Sequence, residues 1–413
     1  MQRSFILTPR TKGKKNNQGN AMKKSRLFFF TFALGIGALL TCFLYEEGKT
    51  IPFAEAFGIK QRNLYHSEVS ESTASESSHV ERRRKVIFLV SSKRSGSSFV
   101  GEYFNKHSDI FYVFEPLQML TFYVLEGKLN NSAFDDVAMD IMQGLVDCQF
   151  NHGYNSAKEW LTRKAPICIF NQELEKTKLC SEDHNEFTLT EVEAMLTATC
   201  ETMKDIAFKV IRIQDLELIK PLVLNQTIDA KVLYLVRDPR GTMNSRNINE
   251  QNFDLIRRMQ NTGTLLEVED MCDTMEHNLK HYWLDTPTWL KGRIKMIRYE
   301  DVALNPIDLG KEIFQFIGRD FDLEVIKWLF LSTQDQSTDE VGKGQYFKTS
   351  RNSAKRVTGW RNEFSWSRIS SIQNKCQTVM KMLGYLSIQS EVSLRNFSIP
   401  SFLPYQPLVN STR

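Results

Sequence analysis

The hydrophobic residues of the chain form one long continuous run and several short ones. The long run, Leu27–Tyr45, has 19 residues and no charge, which is enough to cross a bilayer as a helix. Lys23, Lys24 and Arg26 precede it, so the positive-inside rule places the N-terminus in the cytoplasm. The run predicts a transmembrane signal-anchor with the rest of the chain on the luminal side. A cleaved signal peptide is disfavoured because the nearest Ala-x-Ala lies well beyond the run.

The short apolar runs begin at Lys85 and alternate with helical patterns. Four of them are rich in β-branched and aromatic residues, as in strands that are buried on both faces. They comprise residues 85–92, 206–213, 231–237 and 295–301. Helical stretches separate them, among them Thr190–Lys204 and Leu309–Ile317. This alternation predicts an α/β fold in which helices flank a parallel sheet on both sides.

Polar segments bound the predicted domain. His66–Glu81 is rich in Ser and Glu and cannot bury enough apolar surface to fold alone. The C-terminal residues, with three prolines, predict a loose tail. The predicted organisation is a cytoplasmic tail (1–26), the membrane segment (27–45), a stem (46–84), a luminal domain (85–392) and a C-terminal tail (393–413).

The charge of the chain is distributed unevenly. The net charge is +4, but residues 1–26 hold eight basic residues and no acid, so the remainder has 45 basic against 49 acidic residues. A net charge of −4 on the bulk of the protein argues against a nucleic-acid partner, because binding to phosphates requires a positive surplus.

Cysteines and glycosylation motifs agree with a luminal domain. Six of the seven cysteines follow the apolar run, an even number that allows three disulfides in 15 pairings. None is spaced as a zinc site, and no metal is expected. Four Asn-x-Ser/Thr sequons would all be luminal. They are Asn130, Asn225, Asn396 and Asn410.

The first strand leads into a loop with the composition of a phosphate site. Ser91–Ser98 contains one glycine for a tight turn, several hydroxyl groups and the guanidinium of Arg94. A helix follows, and the backbone N–H groups and dipole at its N-terminus favour an anion. The loop lacks the glycine and lysine spacing of a Walker A motif.

A second candidate site follows the strand 231–237. Asp238 and Pro239 have the chemistry of a helix cap and a first helical residue. Arg237 and Ser245 are eight residues apart and could converge on one phosphate. Read alone, Arg-Asp-Pro favours a simple helix start with a local ion pair.

Together the two sites resemble the Golgi carbohydrate sulfotransferases, and within them the galactose, N-acetylglucosamine and N-acetylgalactosamine 6-O-sulfotransferases, such as chondroitin 6-sulfotransferase. The similar segments are KRSGSSFVGEYFN, IFYVFEPL, LVRDPRGTMNSR, RYEDVALNP and GWR, between about Lys85 and Tyr385. The departures are Lys93 before Arg94, and Gly241–Met243 in place of a small apolar run. They leave the subgroup open.

The resemblance implies a P-loop-like sulfotransferase fold and 3′-phosphoadenosine 5′-phosphosulfate (PAPS) as co-substrate. It implies a glycan or glycosaminoglycan acceptor and a type II Golgi membrane protein, and it leaves a homodimer open. By motif position, the 5′-phosphosulfate ligands are Arg94, Ser95, Gly96, Ser97 and Ser98, and the 3′-phosphate ligands are Arg237 and Ser245. Lys93, Phe99 and Asp238 are further expected cofactor-binding residues. Arg94 is also expected to stabilise the leaving group.

A sugar hydroxyl benefits from a general base, and Glu115 in Phe-Glu-Pro is the candidate. The alternative role for Glu115 is a structural carboxylate paired with a basic residue. His107 is a rival base, although its place at the end of a helix favours a capping role. Trp360 and Arg361 could contact nucleotide or acceptor, with burial as the alternative for Trp360. Glu300 and Asp301 are expected to be structural.

Two other functions fit a luminal type II protein. A glycosyltransferase would use Asp-x-Asp to bind a metal, and Asp320-Phe321-Asp322 has that form, but Asp322 is better placed to cap the helix that follows. An inactive glycan-binding protein on the same fold is disfavoured by the presence of the candidate site residues, which are Arg94, Arg237, Ser245 and Glu115.

Overall fold

The structure of the protein is a computed structural model. It describes residues 26–31, 40–46, 49–52, 83–150, 171–176, 188–213, 215–250, 264–333 and 353–404. Cys168, Cys180, Asn410 and nearly all of the predicted cytoplasmic tail and stem lie outside these residues.

The described residues near the N-terminus form a small antiparallel sheet. Its strands are β1 (Arg26–Thr31), β2 (Leu40–Glu46) and β3 (Lys49–Pro52), in that order. Strands therefore lie in parts of the segment 27–45 where the sequence predicts a membrane helix, and residues 32–39 are outside the description. Among the described residues, no helix has both the length and the apolar character needed to cross a bilayer. The predicted transmembrane helix is not confirmed.

A five-stranded parallel sheet organises the rest of the chain, in the order β5-β6-β4-β7-β8. Its strands are β4 (Arg84–Ser91), β5 (Ile110–Phe114), β6 (Asp205–Val210), β7 (Ile228–Val236) and β8 (Ile294–Arg298). Because β4 lies at the centre, its carboxyl end is flanked by the ends of β6 and β7. This places the loops after all five strands along one edge of the sheet.

Helices cover both faces of the sheet, as the α/β prediction requires. They are α1 (Ser97–Asn105), α2 (Gln118–Leu125), α3 (Phe134–Val146), α4 (Gln172–Glu175), α5 (Leu189–Thr202), α6 (Lys220–Leu224), α7 (Pro239–Glu250), α8 (Thr264–Asn278), α9 (Tyr299–Leu304), α10 (Pro306–Ile317), α11 (Leu323–Thr333), α12 (Ser353–Thr358), α13 (Trp360–Glu363), α14 (Trp366–Lys375), α15 (Gln377–Met382) and α16 (Glu391–Arg395). A π-helical segment, Leu279–Leu284, extends α8.

The alternating side chains of each strand enter two separate hydrophobic cores. Ile87 and Leu89 of β4 pack on the face covered by α1 and α10, whereas Val86 and Phe88 face the larger core on the other side. Lys209 of β6 is aligned with Leu89 and Phe114 of its neighbours. A lysine is thus buried in a row of apolar residues, at the end of the sheet where the loops gather.

The four predicted strands are all present, with two differences. The sequence predicts a strand over 295–301, but β8 ends at Arg298 and Tyr299 begins α9. β5 is a fifth strand that is not among the four predicted, although its residues are also β-branched and aromatic. The predicted helices at 190–204 and 309–317 correspond to α5 and α10.

Two disulfides join distant parts of the domain. Cys148 is bonded to Cys200, and Cys272 to Cys376. They close loops of 52 and 104 residues, and loops of this size are worth about 4 kcal/mol each in the chain-entropy view. Two of the expected disulfides are therefore present.

The segment after residue 392, predicted as a loose tail, contacts the domain as far as Leu403. Arg361 donates hydrogen bonds to the backbone carbonyls of Ser393, Leu394, Asn396 and Ile399. Tyr385 also forms a β-bridge with Phe402. The sequence pattern missed this packing because the segment is fixed by arginines distant in sequence rather than by its own apolar periodicity.

Candidate functional site

The candidate site lies along the edge where the parallel strands end. The carboxyl ends of β4, β5, β6, β7 and β8 all meet there, and each is followed by at least one polar or charged residue. In open α/β sheets, ligands bind outside this edge, next to the point where the chain reverses its direction of winding.

The loop between β4 and α1 is shaped by two residues with positive φ. Arg94 has φ 69° and Gly96 has φ 88°. A Cβ atom on Gly96 would lie 2.1 Å from Cδ2 of Tyr299, a distance that no side chain could tolerate. Gly96 is therefore required both by its backbone conformation and by the close approach of the Tyr299 ring.

The N-terminus of α1 keeps its first backbone N–H groups available. No side chain among the described residues caps it, and Gly96 occupies the cap position. The loop is held from within instead, by a 2.6 Å hydrogen bond between the hydroxyls of Ser92 and Ser95. An uncapped helix N-terminus that opens on the ligand-binding edge is suited to an anionic group.

Three of the predicted loop residues face inward. Ser95 and Ser97 are buried, and Phe99 packs against Tyr103 and Trp328. The Lys93 carbonyl accepts a hydrogen bond from Nε of Arg246. Any contact of Phe99 with a ligand would therefore be made by its backbone.

The corner after β7 is built as the sequence predicts. α7 begins at Pro239, and Oδ1 of Asp238 accepts a hydrogen bond from the Arg240 backbone N–H at 2.9 Å. Asp238 also forms a buried two-point ion pair with the Arg240 guanidinium. Both oxygens of the Asp238 carboxylate are bonded to Arg240. Asp238 can therefore contribute to cofactor binding only by fixing the conformation of the corner.

Arg237 is placed differently from Asp238. Its guanidinium lies over the Tyr299 ring at 4.4 Å and donates to the carbonyls of Arg94 and Arg356. Nε of Arg237 is buried and has no hydrogen-bond partner within the described part of the chain. A buried cationic donor of this kind fits the phosphate of a bound nucleotide.

Arg94 connects the two predicted phosphate sites. Its Nε donates to the Ser245 hydroxyl at 3.2 Å, and its carbonyl accepts from Arg237. The structure thus brings Arg94, Arg237 and Ser245 together, although they come from two loops that are 140 residues or more apart in sequence.

Glu115 follows β5 and faces two basic residues from β6 and the segment after it. Its carboxylate lies 2.8 Å from Lys209 Nζ and 3.3 Å from an Arg212 nitrogen. Lys209, which is 2% exposed, also donates to the Ser98 hydroxyl at 2.9 Å and lies over the Phe114 ring. Glu115 has φ 45°, a strained conformation for a residue with a side chain. Lys209 therefore links the candidate base directly to the first loop.

The ion pairs fix the charge of this cluster. Burial alone would raise the pKa of Glu115, but the Lys209 ammonium and Arg212 guanidinium outweigh it and hold the pKa below its ordinary value. Burial lowers the pKa of Lys209, and Glu115 opposes this effect without cancelling it. Glu115 is therefore ionised at neutral pH, as a general base must be, and is also the paired carboxylate of the alternative prediction.

His107 lies beyond the far end of α1, away from the loop. Its Nδ1 accepts a hydrogen bond from the Asp109 backbone, so Nε2 carries the proton and pairs with the Asp320 carbonyl. The ring stacks on Phe314, and burial lowers the pKa of His107. The structure does not bring His107 to the site.

The other candidate residues make contacts that stabilise the fold. Trp360 is buried over the Arg240 guanidinium. Asp301 is ion-paired with Arg298, and Asp322 caps α11 through the backbone N–H of Glu324. The Asp-x-Asp pattern is thus accounted for by a helix cap. Within the described residues, no group of three or more His, Cys, Asp or Glu side chains could hold a metal.

Comparison with known proteins decides the family. The sulfotransferase domain family matches residues 84–384, well over half of the chain. The chain belongs to this family. It is a sulfotransferase enzyme, and the predicted sulfuryl donor, PAPS, is confirmed by the family.

The resemblance to carbohydrate sulfotransferases is also confirmed. This sulfotransferase is 30% identical over 346 residues to carbohydrate sulfotransferase 1 of Homo sapiens, covering 77% of this chain and 83% of that protein. It is 27% identical over 369 residues to carbohydrate sulfotransferase 3 of Tetronarce californica, covering 82% and 81%. Among solved structures, mouse sulfotransferase SULT7A1 complexed with PAP matches with 15% identity and a TM-score of 0.38, covering 73% of this chain and 85% of that one.

Sequence reasoning missed Lys209 and Arg212. Both lie within the predicted strand 206–213, where the sequence pattern gives them no role beyond that of polar strand positions. One signal was present: a lysine inside a central parallel strand is buried and requires an anionic partner. That partner, Glu115, is 94 residues away, so the pairing appears only when the order of the strands is known.

Proposed function

We propose that this sulfotransferase transfers a sulfuryl group from PAPS to the C6 hydroxyl of an N-acetylglucosamine, galactose or N-acetylgalactosamine residue in a glycan or glycosaminoglycan. The observation that carries the proposal is the convergence of Arg94, Arg237 and Ser245 at the same sheet edge as Glu115, which Lys209 links to Ser98 of the first loop. The named carbohydrate sulfotransferase relatives support a sugar acceptor.

The donor is held by the two loops. The N–H groups at the start of α1, the hydroxyls of the loop and Arg94 bind the 5′-phosphosulfate, and Arg237 and Ser245 bind the 3′-phosphate. When bound, PAPS supplies an activated sulfuryl group and a phosphate leaving group. The protein positions the reactants and provides positive charge where the leaving oxygen gains negative charge. Lys209 contributes to that charge because it contacts Ser98 of the loop.

The acceptor is deprotonated by Glu115. Its ionised carboxylate accepts the proton of the sugar hydroxyl as that oxygen attacks the sulfur atom. Lys209 and Arg212 orient the carboxylate and keep it ionised, at some loss of intrinsic basicity. Because Lys209 touches both Glu115 and Ser98, it holds the base in a fixed position relative to the loop that binds the donor.

The test is sulfate transfer to defined acceptors. The purified enzyme is incubated with radiolabelled PAPS and desulfated chondroitin, keratan and N-glycan acceptors, and the products are identified by disaccharide analysis. Label at C6 of one of the three sugars is expected. Label confined to other positions would contradict the proposed regiochemistry, and Arg237→Ala serves as the matched low-activity control.

The location proposed is the Golgi membrane, with a single type II anchor at Leu27–Tyr45 and the sulfotransferase domain in the lumen. The charge-free run and its basic N-terminal flank support it. Protease added to sealed microsomes is expected to remove only the short N-terminal tail. Digestion of the domain in sealed vesicles would overturn this topology.

Three sequons have a backbone geometry suited to N-glycosylation. In each, the side-chain oxygen of the asparagine accepts a hydrogen bond from the backbone N–H two residues later, in an Asx turn. They are Asn130, Asn225 and Asn396. The proposal that they carry glycans is tested by the gel shift after enzymatic removal of N-glycans, compared with Asn→Gln variants.

A further inference from the structure

Glu300 is a buried carboxylate next to the corner that holds Arg237. Its side chain is 1% exposed and is bonded only to neutral donors. One oxygen accepts from the Asp238 backbone N–H at 3.1 Å and the other from the Tyr385 hydroxyl at 2.8 Å. Within the described part of the chain, no basic side chain forms an ion pair with it.

The charged groups around Glu300 leave it with an unbalanced negative charge. Asp238 is paired with Arg240, and Arg298 is paired with Asp301. Burial raises the pKa of Glu300 to about 7, the Asp238 carboxylate adds to this effect, and the Arg237 guanidinium opposes it. Glu300 thus changes charge near neutral pH, and the Arg237 guanidinium favours its ionised form.

The contacts of Glu300 join it to the donor corner on two sides. Glu300 accepts a hydrogen bond from the backbone N–H of Asp238, the residue directly after Arg237. Tyr299, the residue directly before Glu300, packs its ring against the Arg237 guanidinium. Glu300 therefore helps to position Arg237 and also experiences the electric field of whatever binds there.

We propose that Glu300 is a positioning residue of the donor corner, and that it takes up a proton from solvent when a phosphate dianion binds at Arg237. This inference rests on the proposed function, in which Arg237 binds the 3′-phosphate. The dianion neutralises the cation that favours ionised Glu300 and adds a repulsion of its own, so the protonated carboxyl becomes the stable form.

The hydrogen bonds around Glu300 permit both states. A tyrosine hydroxyl can donate or accept, so Tyr385 donates to the ionised carboxylate and accepts from the protonated one. The oxygen that faces Asp238 accepts the same N–H in either state. Protonation therefore relieves the unbalanced charge and keeps a hydrogen bond between Glu300 and each of these two partners.

The inference predicts that donor binding depends on pH above neutrality. A phosphate monoester is mostly dianionic above pH 7, because its second pKa is about 6. In that range, binding requires Glu300 to take up a proton, which becomes less available as the pH rises. Donor affinity should therefore fall roughly threefold from pH 7 to pH 8.

The experiment is calorimetric titration of the full-length enzyme in detergent with adenosine 3′,5′-bisphosphate at pH 7.5. Repeating it in two buffers of different ionisation enthalpy gives the number of protons taken up. Wild type should take up roughly half a proton or more per ligand, and Glu300→Gln close to none. Gln keeps an oxygen for Asp238 and an amide for Tyr385, so the corner should remain intact. Glu312→Gln, which removes a partly exposed carboxylate paired with Lys295, should behave as wild type.

Two outcomes have different meanings. Equal proton uptake by wild type and Glu300→Gln would overturn the inference and leave the donor site intact. Equal affinity for adenosine 3′,5′-bisphosphate and 5′-AMP, which lacks the 3′-phosphate, would instead overturn the proposed donor site. If Glu300→Gln does not fold, Tyr385→Phe replaces it. This variant removes a hydrogen bond to the ionised form, so Glu300 should already be protonated, and unchanged proton uptake would again reject the inference.

Discussion

The corners after β7 and β5 contain similar charged residues arranged in opposite ways. After β7, the Asp238 carboxylate is ion-paired with Arg240. Arg237 contacts two backbone carbonyls and an aromatic ring, and its buried Nε has no hydrogen-bond partner among the described residues. After β5, the carboxylate of Glu115 is the central group, and Lys209 and Arg212 both bind it.

The difference separates two tasks within one site. A corner with an incompletely bonded guanidinium is prepared for an anion, which explains how the protein could recognise a 3′-phosphate. A carboxylate held ionised by two cations is available as a proton acceptor at neutral pH, although the same cations make it a weaker base. We therefore expect damage to the β7 corner to affect donor binding, and damage to the β5 corner to affect the chemical step.

The largest effect is expected for Glu115→Gln. General-base catalysis contributes about 10²–10⁴-fold, so kcat should fall by that factor. Removing the anion also leaves Lys209 buried without its partner, which costs about 3–5 kcal/mol of folding stability. Single-turnover rate and melting temperature are measured on the same protein.

A double variant separates the two effects of Glu115→Gln. Glu115→Gln with Lys209→Met removes both charges and should recover much of the stability but not the rate. Glu102→Gln, a second buried carboxylate on α1 whose pKa is raised by burial, should leave turnover close to normal. Recovery of turnover in the double variant would show that Glu115 has only a structural role.

Gly96→Ala should destabilise the first loop more than backbone strain from a positive φ alone would. The methyl group meets the Tyr299 ring and positive φ adds strain, so we expect a loss of about 2–4 kcal/mol of stability and weaker donor binding. Gly127→Ala is the matched control, because Gly127 has φ 69° but open space around it. Equal losses in chemical denaturation would show that the contact with Tyr299 is unimportant.

Arg237→Ala should weaken binding of adenosine 3′,5′-bisphosphate by roughly 10- to 150-fold, since a charge-assisted contact is worth about 1.5–3 kcal/mol. Binding of 5′-AMP should barely change. Arg293→Ala, which removes an arginine bonded to the Val223 carbonyl, is the control. If both nucleotides lose affinity equally in calorimetry, Arg237 is not the 3′-phosphate ligand.

The smallest effect concerns pH. Because the folded-state pKa of Glu300 is raised to about 7 from an ordinary 4.5, the folded protein binds more protons than the unfolded chain near neutrality. The contribution of Glu300 to the free energy of unfolding therefore increases by roughly 1 kcal/mol as the pH falls from 8 to 6. Thermal unfolding of wild type should show this increase relative to Glu300→Gln. Parallel pH profiles for the two proteins would contradict the assignment.

The sequence predicted what is local and missed what depends on the order of strands. The loop after β4 and the start of α7 were found because strand, turn and helix follow one another within about 20 residues. The pairing of Glu115 with Lys209 and Arg212 was not found, since β5 and β6 become neighbours only in the folded sheet. The structural role of Arg361 was not predicted for a related reason: its partners are backbone carbonyls, which no residue pattern reveals.

The most direct test of the division between the two corners is a crossed measurement on Arg237→Ala and Glu115→Gln. Donor affinity and the single-turnover rate at saturating PAPS are determined for both variants. We predict that Arg237→Ala loses mainly affinity and keeps a rate within several-fold of wild type, whereas Glu115→Gln keeps its affinity and loses about 10²–10⁴-fold in rate. Loss of the same quantity in both variants would contradict the account.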